Sequence, residues 1–249
     1  MPSPTSPPLF PKFVIHTGMC VSAEDAAASE IILPPQIRKA VLRRRAEFIS
    51  GRLCARAALK ALGATQLDVP IGADGSPLWP PGFVGSITHA NGLAFAAVAR
   101  MSQAQSLGLD VEKIMPPDTA RMLAPILATA DEYDRLLNSP WDKTLLTTTI
   151  FSAKEAIFKC LYPVIGRRFD FTDVEMTSID GKNGTFTFSL GGSIARLVPQ
   201  ATSQSGRLAL VDGLVHTGLL LPNAQPASRR KENGRFLKKA AQKLLLHWA

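Results

Sequence analysis

The spacing of apolar residues changes along this chain in a way that constrains its fold more than any other feature. From Ile37 to Gly63 apolar residues recur every three or four positions, which predicts a long amphipathic helix, either continuous or broken once. Segments of strand character follow, and after them come two predicted helices and four more short strands. This order predicts an α+β fold of two halves that meet near residue 105. The predicted strands are 69–71, 93–100, 107–112, 169–176, 185–190, 208–211 and 214–221, and a short segment, 84–89, leads to a turn before 93–100. The later predicted helices are 119–137 and 141–161.

Positive charge is concentrated at the C-terminal end of the chain. Of the net charge of +8, residues 222–249 contribute seven cations and one anion, so residues 1–221 are nearly neutral. We therefore divide the chain into 1–105, 106–221 and a basic segment, 222–249, that combines a linker with an amphipathic helix. A charge confined to the tail argues against nucleic-acid binding by the whole protein.

Several classes of protein are excluded by the apolar runs and the cysteines. The longest unbroken apolar run is seven residues, Leu93–Ala99, which is too short to span a membrane. Residues 1–12 lack the features of a secretory signal, and the cysteines are not at metal-binding or redox spacing. We expect a cytoplasmic protein whose three cysteines are reduced and mostly buried.

Asp110 and Glu112 lie in a segment whose apolar residues alternate with small or acidic ones. In a strand both carboxylates would project from one face, about 7 Å apart. They could share a divalent cation, and oxygen ligands without a nearby histidine favour Mg²⁺ or Mn²⁺ over zinc. A solvated strand end is the plainer alternative, and the pair alone does not decide between the two.

Two further groups of charged residues allow a structural or a functional interpretation. Glu155 precedes Lys159 by four residues, so both project from one face of a predicted helix. They form either a surface ion pair, or a third carboxylate for a metal beside a cation for a phosphate. Arginines of the first helix present either a solvated face or a phosphate-binding stripe; they are Arg44, Arg45, Arg52 and Arg56.

Five short motifs between residues 38 and 170 occur in an order that resembles the 4′-phosphopantetheinyl transferases. The resemblance is strongest to the branch that activates the surfactin and enterobactin synthetases. The motifs are Arg44–Phe48 with Gly51 and Arg52, Trp79-Pro80, Gly85–His89, Gly108–Glu112 and Phe151–Ala156. Taken singly, Thr88-His89 and the turn at Asp74–Pro77 are weak signals, but the ordered set is specific.

The resemblance implies a monomer of two pseudo-symmetric α+β halves, with coenzyme A as co-substrate in the cleft between them. It implies Asp110, Glu112 and Glu155 as ligands of Mg²⁺. The residues implied for coenzyme A binding are Arg44, Arg52, Gly75, Ser76, Pro77, Thr88, His89, Lys154 and Lys159. Ser76 departs from the family pattern, because relatives often have a lysine there.

The implied reaction is Mg²⁺-dependent transfer of the 4′-phosphopantetheine group from coenzyme A to a serine of an apo acyl or peptidyl carrier protein, which releases 3′,5′-ADP. Such reactions serve fatty-acid and siderophore biosynthesis. Asp110, Glu155 and Lys159 are the catalytic candidates: Glu155 would accept the proton of the serine, and Lys159 would stabilise the leaving phosphate. Carrier proteins are usually acidic, so the basic tail is expected either to attract them or to pack on the body.

Two alternatives remain from the residues alone. One is another Mg²⁺-dependent phosphodiester or phosphoryl-transfer enzyme, because three carboxylates and a lysine also suit a nuclease. The other is a binding module that uses its basic tail. Modification of an apo carrier protein by coenzyme A would distinguish the transferase from both.

Overall fold

The computed structural model describes residues 4, 6–21, 29–137, 141–201 and 204–223. The helix predicted in the basic tail lies outside the described residues. In the described part of the chain, no helix is both long enough and apolar enough to cross a membrane.

The first half of the chain forms a three-stranded antiparallel sheet covered on one face by a helix. Its elements are β1 (Ile15–Cys20), α1 (Pro35–Arg38), α2 (Leu42–Ala61), β2 (Phe83–Ala90) and β3 (Leu93–Arg100), with strand order β1-β3-β2. Helix α2 packs small side chains such as Ala55 and Ala58 against Ala96 and Val98 of the central strand, which brings helix and sheet close together. The predicted helix at 37–63 is thus confirmed, with its one break between α1 and α2.

The second half is built around a five-stranded antiparallel sheet and one long helix, α5. Its elements are β4 (Ser106–Lys113), α3 (Pro117–Leu127), α4 (Ala130–Leu136), α5 (Lys143–Ile165), β5 (Val174–Asp180), β6 (Thr185–Leu190), α6 (Gly192–Ala195), β7 (Ser205–Val211) and β8 (Leu214–Leu221), with strand order β4-β8-β7-β6-β5. Asp142 begins α5 by accepting hydrogen bonds from the backbone N–H groups of Thr144 and Leu145. Gly166 ends it with a φ of 72°, the left-handed conformation that glycine adopts freely.

The two halves share one connectivity. Each begins with a strand, continues through a long helix, and returns with antiparallel strands of which the last pairs with the first: β3 with β1, and β8 with β4. The prediction of an α+β protein of two halves is therefore confirmed. The halves pack on each other where Leu107, Leu109 and Val111 of β4 enter one apolar cluster with Phe95 of β3. The opposite face of β4, with Gly108, Asp110 and Glu112, is turned towards α5.

Four sequence predictions of local structure need correction. The strand at Val69–Ile71 is wrong, since Ile71 makes just one isolated bridge, to Pro77. The helix at 119–137 is divided into α3 and α4, because the hydroxyl of Thr129 caps α4 by accepting from the Glu132 N–H at 3.2 Å. The strand predicted at 169–176 starts only at Val174, after a 3₁₀ turn. Finally, β1 was not predicted at all.

All three cysteines are free. Cys54 and Cys160 are buried, and burial raises the pKa of each thiol to about 12. Thiols with such pKa values are unreactive at neutral pH, so these two are part of the packed interior. Cys20 is half-buried.

Candidate active site

A cleft between the two halves collects almost all of the predicted site residues. It has a volume of about 340 Å³, and α2, the loop before β2, β2 itself, β4 and α5 contribute to its walls. The predicted residues that line it are Arg44, Arg52, Gly75, Pro77, Thr88, His89, Asp110, Glu112, Glu155 and Lys159. Ser76 lines the adjoining cavity, which shares Gly75, Pro77 and Lys159 with the cleft.

A glycine allows the two acidic elements of the cleft to approach each other. A Cβ atom on Gly108 of β4 would lie 1.9 Å from the Ala156 carbonyl oxygen and 2.7 Å from the Cys160 nitrogen, both in α5. No larger residue fits without a backbone shift. The glycine thus brings Asp110, two residues along β4, to the helix that carries Glu155 and Lys159.

Asp110 is the most enclosed charged group of the cleft. Only 2% of it is exposed, and its Oδ1 accepts hydrogen bonds from Lys159 Nζ at 2.6 Å and from Thr88 Oγ1 at 3.2 Å. Its Oδ2 is buried and has no hydrogen-bond partner among the described residues. A buried carboxylate oxygen without a partner is costly, so Asp110 is poised to accept a ligand.

Glu112 and Glu155 complete an acidic wall. Burial raises the pKa of Glu112 to about 7, and the negative charges of Asp110 and Glu155 add to this rise while Lys159 opposes it. Burial also raises the pKa of Glu155, with Lys159 opposing and Asp110 adding to the rise. These carboxylates are therefore easier to ionise when a cation is bound beside them.

Oxygen donors alone suit a hard cation such as Mg²⁺, and the unpaired Oδ2 of Asp110 provides an available ligand atom. As the side chains stand, however, no three acidic, histidine or cysteine side chains of the described residues are gathered closely enough to hold a metal ion. The donor set fits the cation, and side-chain movement would be needed to complete its coordination.

The opposite wall of the cleft is cationic. Arg44 Nη1 lies 2.6 Å from His89 Nε2, and Glu47 Oε2 lies 3.7 Å from His89 Nδ1 and 3.6 Å from Arg44 Nη1. Since a guanidinium can only donate, Nε2 accepts and the proton of the neutral ring is on Nδ1, facing Glu47. Burial lowers the pKa of His89; Glu47 opposes this, while Arg44 and Lys159 lower the pKa further.

Arg52 is held in place without a carboxylate partner among the described residues. Its Nε donates to the Val69 carbonyl at 3.2 Å, and its guanidinium carbon lies 4.0 Å from the centre of the Phe48 ring. Burial, followed by repulsion from Arg44, lowers its pKa to about 10. An arginine positioned by a carbonyl and an aromatic face keeps its terminal N–H groups available for an anion.

The turn at Asp74–Pro77 is organised by its own side chains. Asp74 Oδ1 accepts from the Ser76 N–H at 3.0 Å and from the Ser76 hydroxyl at 2.7 Å. Gly75 has a φ of 89°, a conformation that disfavours residues with a Cβ. The hydroxyl of Ser76 thus supports the turn, which places Gly75 and Pro77 at the cleft.

Lys154 does not reach this cleft, which corrects its assignment to coenzyme A. Its side chain is 0% exposed, and Nζ lies 2.9 Å from Glu132 Oε1. It also donates to the carbonyls of Leu127 at 2.6 Å and Phe171 at 3.1 Å. Its three hydrogens are thus committed to protein oxygens, which leaves none for a phosphate.

Two residues of the site had no role assigned from the sequence. Glu47 lines the cleft between Arg44 and His89, and its spacing of three residues from Arg44 was the available signal. Ser86, in the same short motif as Thr88 and His89, contacts the backbone of Leu109 next to Asp110. No sequence spacing relates Ser86 to Leu109.

Two family models match the chain on either side of residue 105. The model described as the 4′-phosphopantetheinyl transferase N-terminal domain matches residues 33–99, and that of the 4′-phosphopantetheinyl transferase superfamily matches residues 106–209. Together they account for more than half of the sequence.

Curated relatives agree with these matches. The 4′-phosphopantetheinyl transferase Svp of Streptomyces mobaraensis is 35% identical over 90% of this chain and 92% of its own length. The 4′-phosphopantetheinyl transferase PptT of Mycobacterium tuberculosis is 34% identical over 75% of this chain and 83% of its own. Enterobactin synthase component D of Salmonella typhi is 41% identical over 50% of this chain and 51% of its own. The chain therefore belongs to the 4′-phosphopantetheinyl transferases, enzymes that transfer phosphopantetheine from coenzyme A to carrier proteins.

Proposed function

We propose that this transferase works as a Mg²⁺-dependent monomer in which the cleft between residues 1–105 and 106–221 binds coenzyme A. The observation that carries the proposal is the pairing of two walls of opposite charge, one with Arg44, Arg52 and His89, the other with three carboxylates, one of which has a buried unpaired oxygen. A diphosphate with a bound divalent cation presents both signs of charge and so complements both walls.

The first half would hold the nucleotide. Arg52, which has no carboxylate partner in the described part of the chain, and Arg44, paired with His89, suit the phosphate groups of the 3′,5′-ADP portion. The turn with Gly75, Ser76 and Pro77 and the hydroxyl of Thr88 would complete this side of the site.

The second half would hold the cation. Asp110, Glu112 and Glu155 are the proposed ligands of Mg²⁺, or of Mn²⁺ in its place. When bound, the ion would supply charge neutralisation for the diphosphate. Lys159, at 2.6 Å from Asp110 Oδ1, lies where it can also reach a phosphate oxygen.

In the proposed reaction, the serine hydroxyl of the carrier attacks the β-phosphorus of coenzyme A. A bond forms between the serine oxygen and phosphorus, and the bond from that phosphorus to the bridging oxygen breaks, so that 3′,5′-ADP leaves. Glu155, whose pKa is raised by burial, would accept the proton of the serine. Lys159 would stabilise the charge on the leaving phosphate.

The proposed partners are apo acyl carrier proteins and the peptidyl carrier domains of siderophore synthesis, the second in line with the enterobactin relatives. We place the reaction in the cytoplasm, where the free cysteines would remain reduced. No role for nucleic acid is proposed.

The proposal is tested by incubating the protein with coenzyme A and a purified apo carrier, with Mg²⁺ or with a chelator. Mass spectrometry should detect the added phosphopantetheinyl group with Mg²⁺ and not with the chelator. The matched control is a carrier whose acceptor serine is alanine. Transfer that is equally fast in the chelator would exclude the assigned metal dependence.

A further inference from the structure

The two halves meet at the outer strands of separate sheets. In the described part of the chain, β2 is an edge of the three-stranded sheet and β4 is an edge of the five-stranded sheet. Backbone groups of an edge strand lack a ladder partner on one side. At this junction a side chain supplies the partner: Ser86 Oγ of β2 accepts from the Leu109 N–H of β4 at 3.0 Å and donates to the Leu109 carbonyl at 3.4 Å.

This contact is buried and directly beside the acidic wall. Ser86 is 3% exposed and Leu109 is fully buried, and Ser86 borders the cavity that adjoins the cleft. Leu109 immediately precedes Asp110. Two residues along β2, on the same face as Ser86, Thr88 donates to the Asp110 carboxylate at 3.2 Å.

A serine hydroxyl can donate one hydrogen bond and accept others, so it can satisfy the N–H and the carbonyl of one residue together. A neighbouring strand would do the same, but it would bring the two backbones to the closer spacing of a continuous sheet. Ser86 thus links β2 to β4 through its side chain, so that the two backbones stay farther apart than in a continuous sheet. The cleft opens beside that separation, with Thr88 and His89 on β2 and Asp110 and Glu112 on β4.

We propose that Ser86 is a positioning residue for the transfer reaction. Its hydroxyl sets the distance and register between β2 and β4, and therefore the position of the cationic wall relative to the acidic wall. The proposal rests on the function proposed above. Ser86 touches Leu109 rather than the reacting atoms, so it acts through Asp110.

The test compares Ser86→Ala with Thr147→Val. Thr147 is 1% exposed, and its hydroxyl bonds with the Tyr133 hydroxyl at 2.8 Å and donates to the Lys143 carbonyl at 2.7 Å, entirely within the second half. Each variant therefore loses one buried hydroxyl, but only the first loses a bond between the halves. For both we would measure the thermal midpoint, kcat and KM for coenzyme A, and the Kd of 3′,5′-ADP.

We expect Ser86→Ala to lower kcat/KM for coenzyme A by about tenfold or more, because the reacting groups come from both halves. The Kd of 3′,5′-ADP, which would be bound by the first half, should change less than about twofold. Thr147→Val should lower the thermal midpoint and change kcat/KM less than about twofold.

Equal kinetic losses in the two variants would overturn the proposal, because Ser86 would then act through stability alone. The proposal would also be overturned if the Kd of 3′,5′-ADP rose by the same factor by which kcat/KM falls, because the defect would then lie in nucleotide binding at the cationic wall. If Ser86→Ala does not fold, Ser86→Cys replaces it, since a thiol is a weaker hydrogen-bond donor of similar shape. We expect Ser86→Cys to lower kcat/KM for coenzyme A by less than Ser86→Ala would. Wild-type kinetics in Ser86→Cys would contradict the proposal. Transfer by the wild type, run alongside, tests the proposed function separately.

Discussion

The two walls of the cleft differ in charge and in how that charge is held. On the first half, Arg44 and Arg52 are positioned by His89, by an aromatic ring and by a carbonyl. On the second half, Asp110 and Glu112 crowd one strand face, and the pKa of Glu112 is raised to about 7. The cationic wall is thus preorganised for an anion, whereas the acidic wall is strained without a cation. Under the proposed function, binding of the cation, more than binding of the nucleotide, would therefore complete the site.

The largest expected effect is a loss of stability, and it distinguishes the two lysines of α5, Lys154 and Lys159, by whether they belong to the acidic wall. Lys154→Met should lower the free energy of unfolding by about 3–5 kcal/mol, because it leaves Glu132 buried and unpaired. KM for coenzyme A should not change for the folded fraction. Chemical denaturation together with steady-state kinetics would measure both quantities.

Lys159→Met is the comparison on the same helix: it also deprives a buried carboxylate, Asp110, of its lysine, so the free energy of unfolding should fall there too, but unlike Lys154→Met it should also lower kcat. The double variant Glu132→Gln/Lys154→Met should recover part of the lost stability, since neither residue is then left as an uncompensated charge. A raised KM for coenzyme A in Lys154→Met, with normal stability, would return Lys154 to the binding site.

The acidic wall itself is tested by Asp110→Ala and Glu155→Ala. Each should lower kcat by about 100-fold or more, because a lost carboxylate is not replaced by a neighbour. Thermal unfolding should change little in Glu155→Ala, since burial already disfavours the ionised form of this group. Retention of more than about a tenth of wild-type turnover at saturating Mg²⁺ would refute the assignment.

The cationic wall should respond more weakly and in a different parameter. Arg52→Ala and His89→Ala would each remove a proposed contact to a phosphate away from the reacting bond. KM for coenzyme A should therefore rise about tenfold, with a smaller fall in kcat. Equal losses in kcat and kcat/KM, with unchanged affinity for coenzyme A, would make these residues structural.

The smallest effect at neutral pH is expected at the junction of the halves, where the Phe95 ring lies between two histidines. His16 of β1 and His216 of β8 lie with ring centres 6.0 and 5.2 Å from that ring, and burial lowers the pKa of each to about 4. Well above pH 6.5 both are neutral in the folded and unfolded states, so they do not contribute to the pH dependence of stability. Below it the unfolded chain binds protons that the folded chain does not.

Stability should therefore fall between pH 6.5 and 4, by on the order of 1 kcal/mol per pH unit for each histidine. Urea unfolding across this range would measure the slope, and His16→Gln should make it shallower. A wild-type slope that His16→Gln leaves unchanged would contradict the burial of a neutral His16.

Local sequence patterns were sufficient to predict the elements in which buried and exposed residues follow a regular period. The alternation in Leu107–Glu112 predicted both faces of β4, and the bounds of β3, β6 and β8 were predicted to the residue. β1 escaped prediction because its sequence mixes His16, Thr17 and Gly18 with apolar residues. The ring of His16 is accommodated by Phe10, six residues away in sequence, and by Phe95, which is remote in sequence.

The site was predicted to a similar degree. Asp110, Glu155 and Lys159 meet as expected because strand and helix periodicity fix their faces, and Gly108 allows the close approach. Lys154 was misassigned because its partner, Glu132, belongs to a different helix, and no local spacing relates the two. Contacts between elements, rather than periodicity, decided the role of this lysine.

The pairing of β4 with β8 has a consequence for the newly synthesised chain. Ser106 pairs with Leu221, so during translation the strand that bears Asp110 emerges long before its only ladder partner in the described part of the chain. The three strands of the first half can already associate at that stage, because β3 needs only strands that precede it. Until the ribosome has released β8, β4 remains an open apolar edge exposed to aggregation. Catalytic competence therefore requires synthesis to have passed β8, and a messenger truncated before the codon for Leu214 would yield an aggregation-prone fragment rather than a weak enzyme.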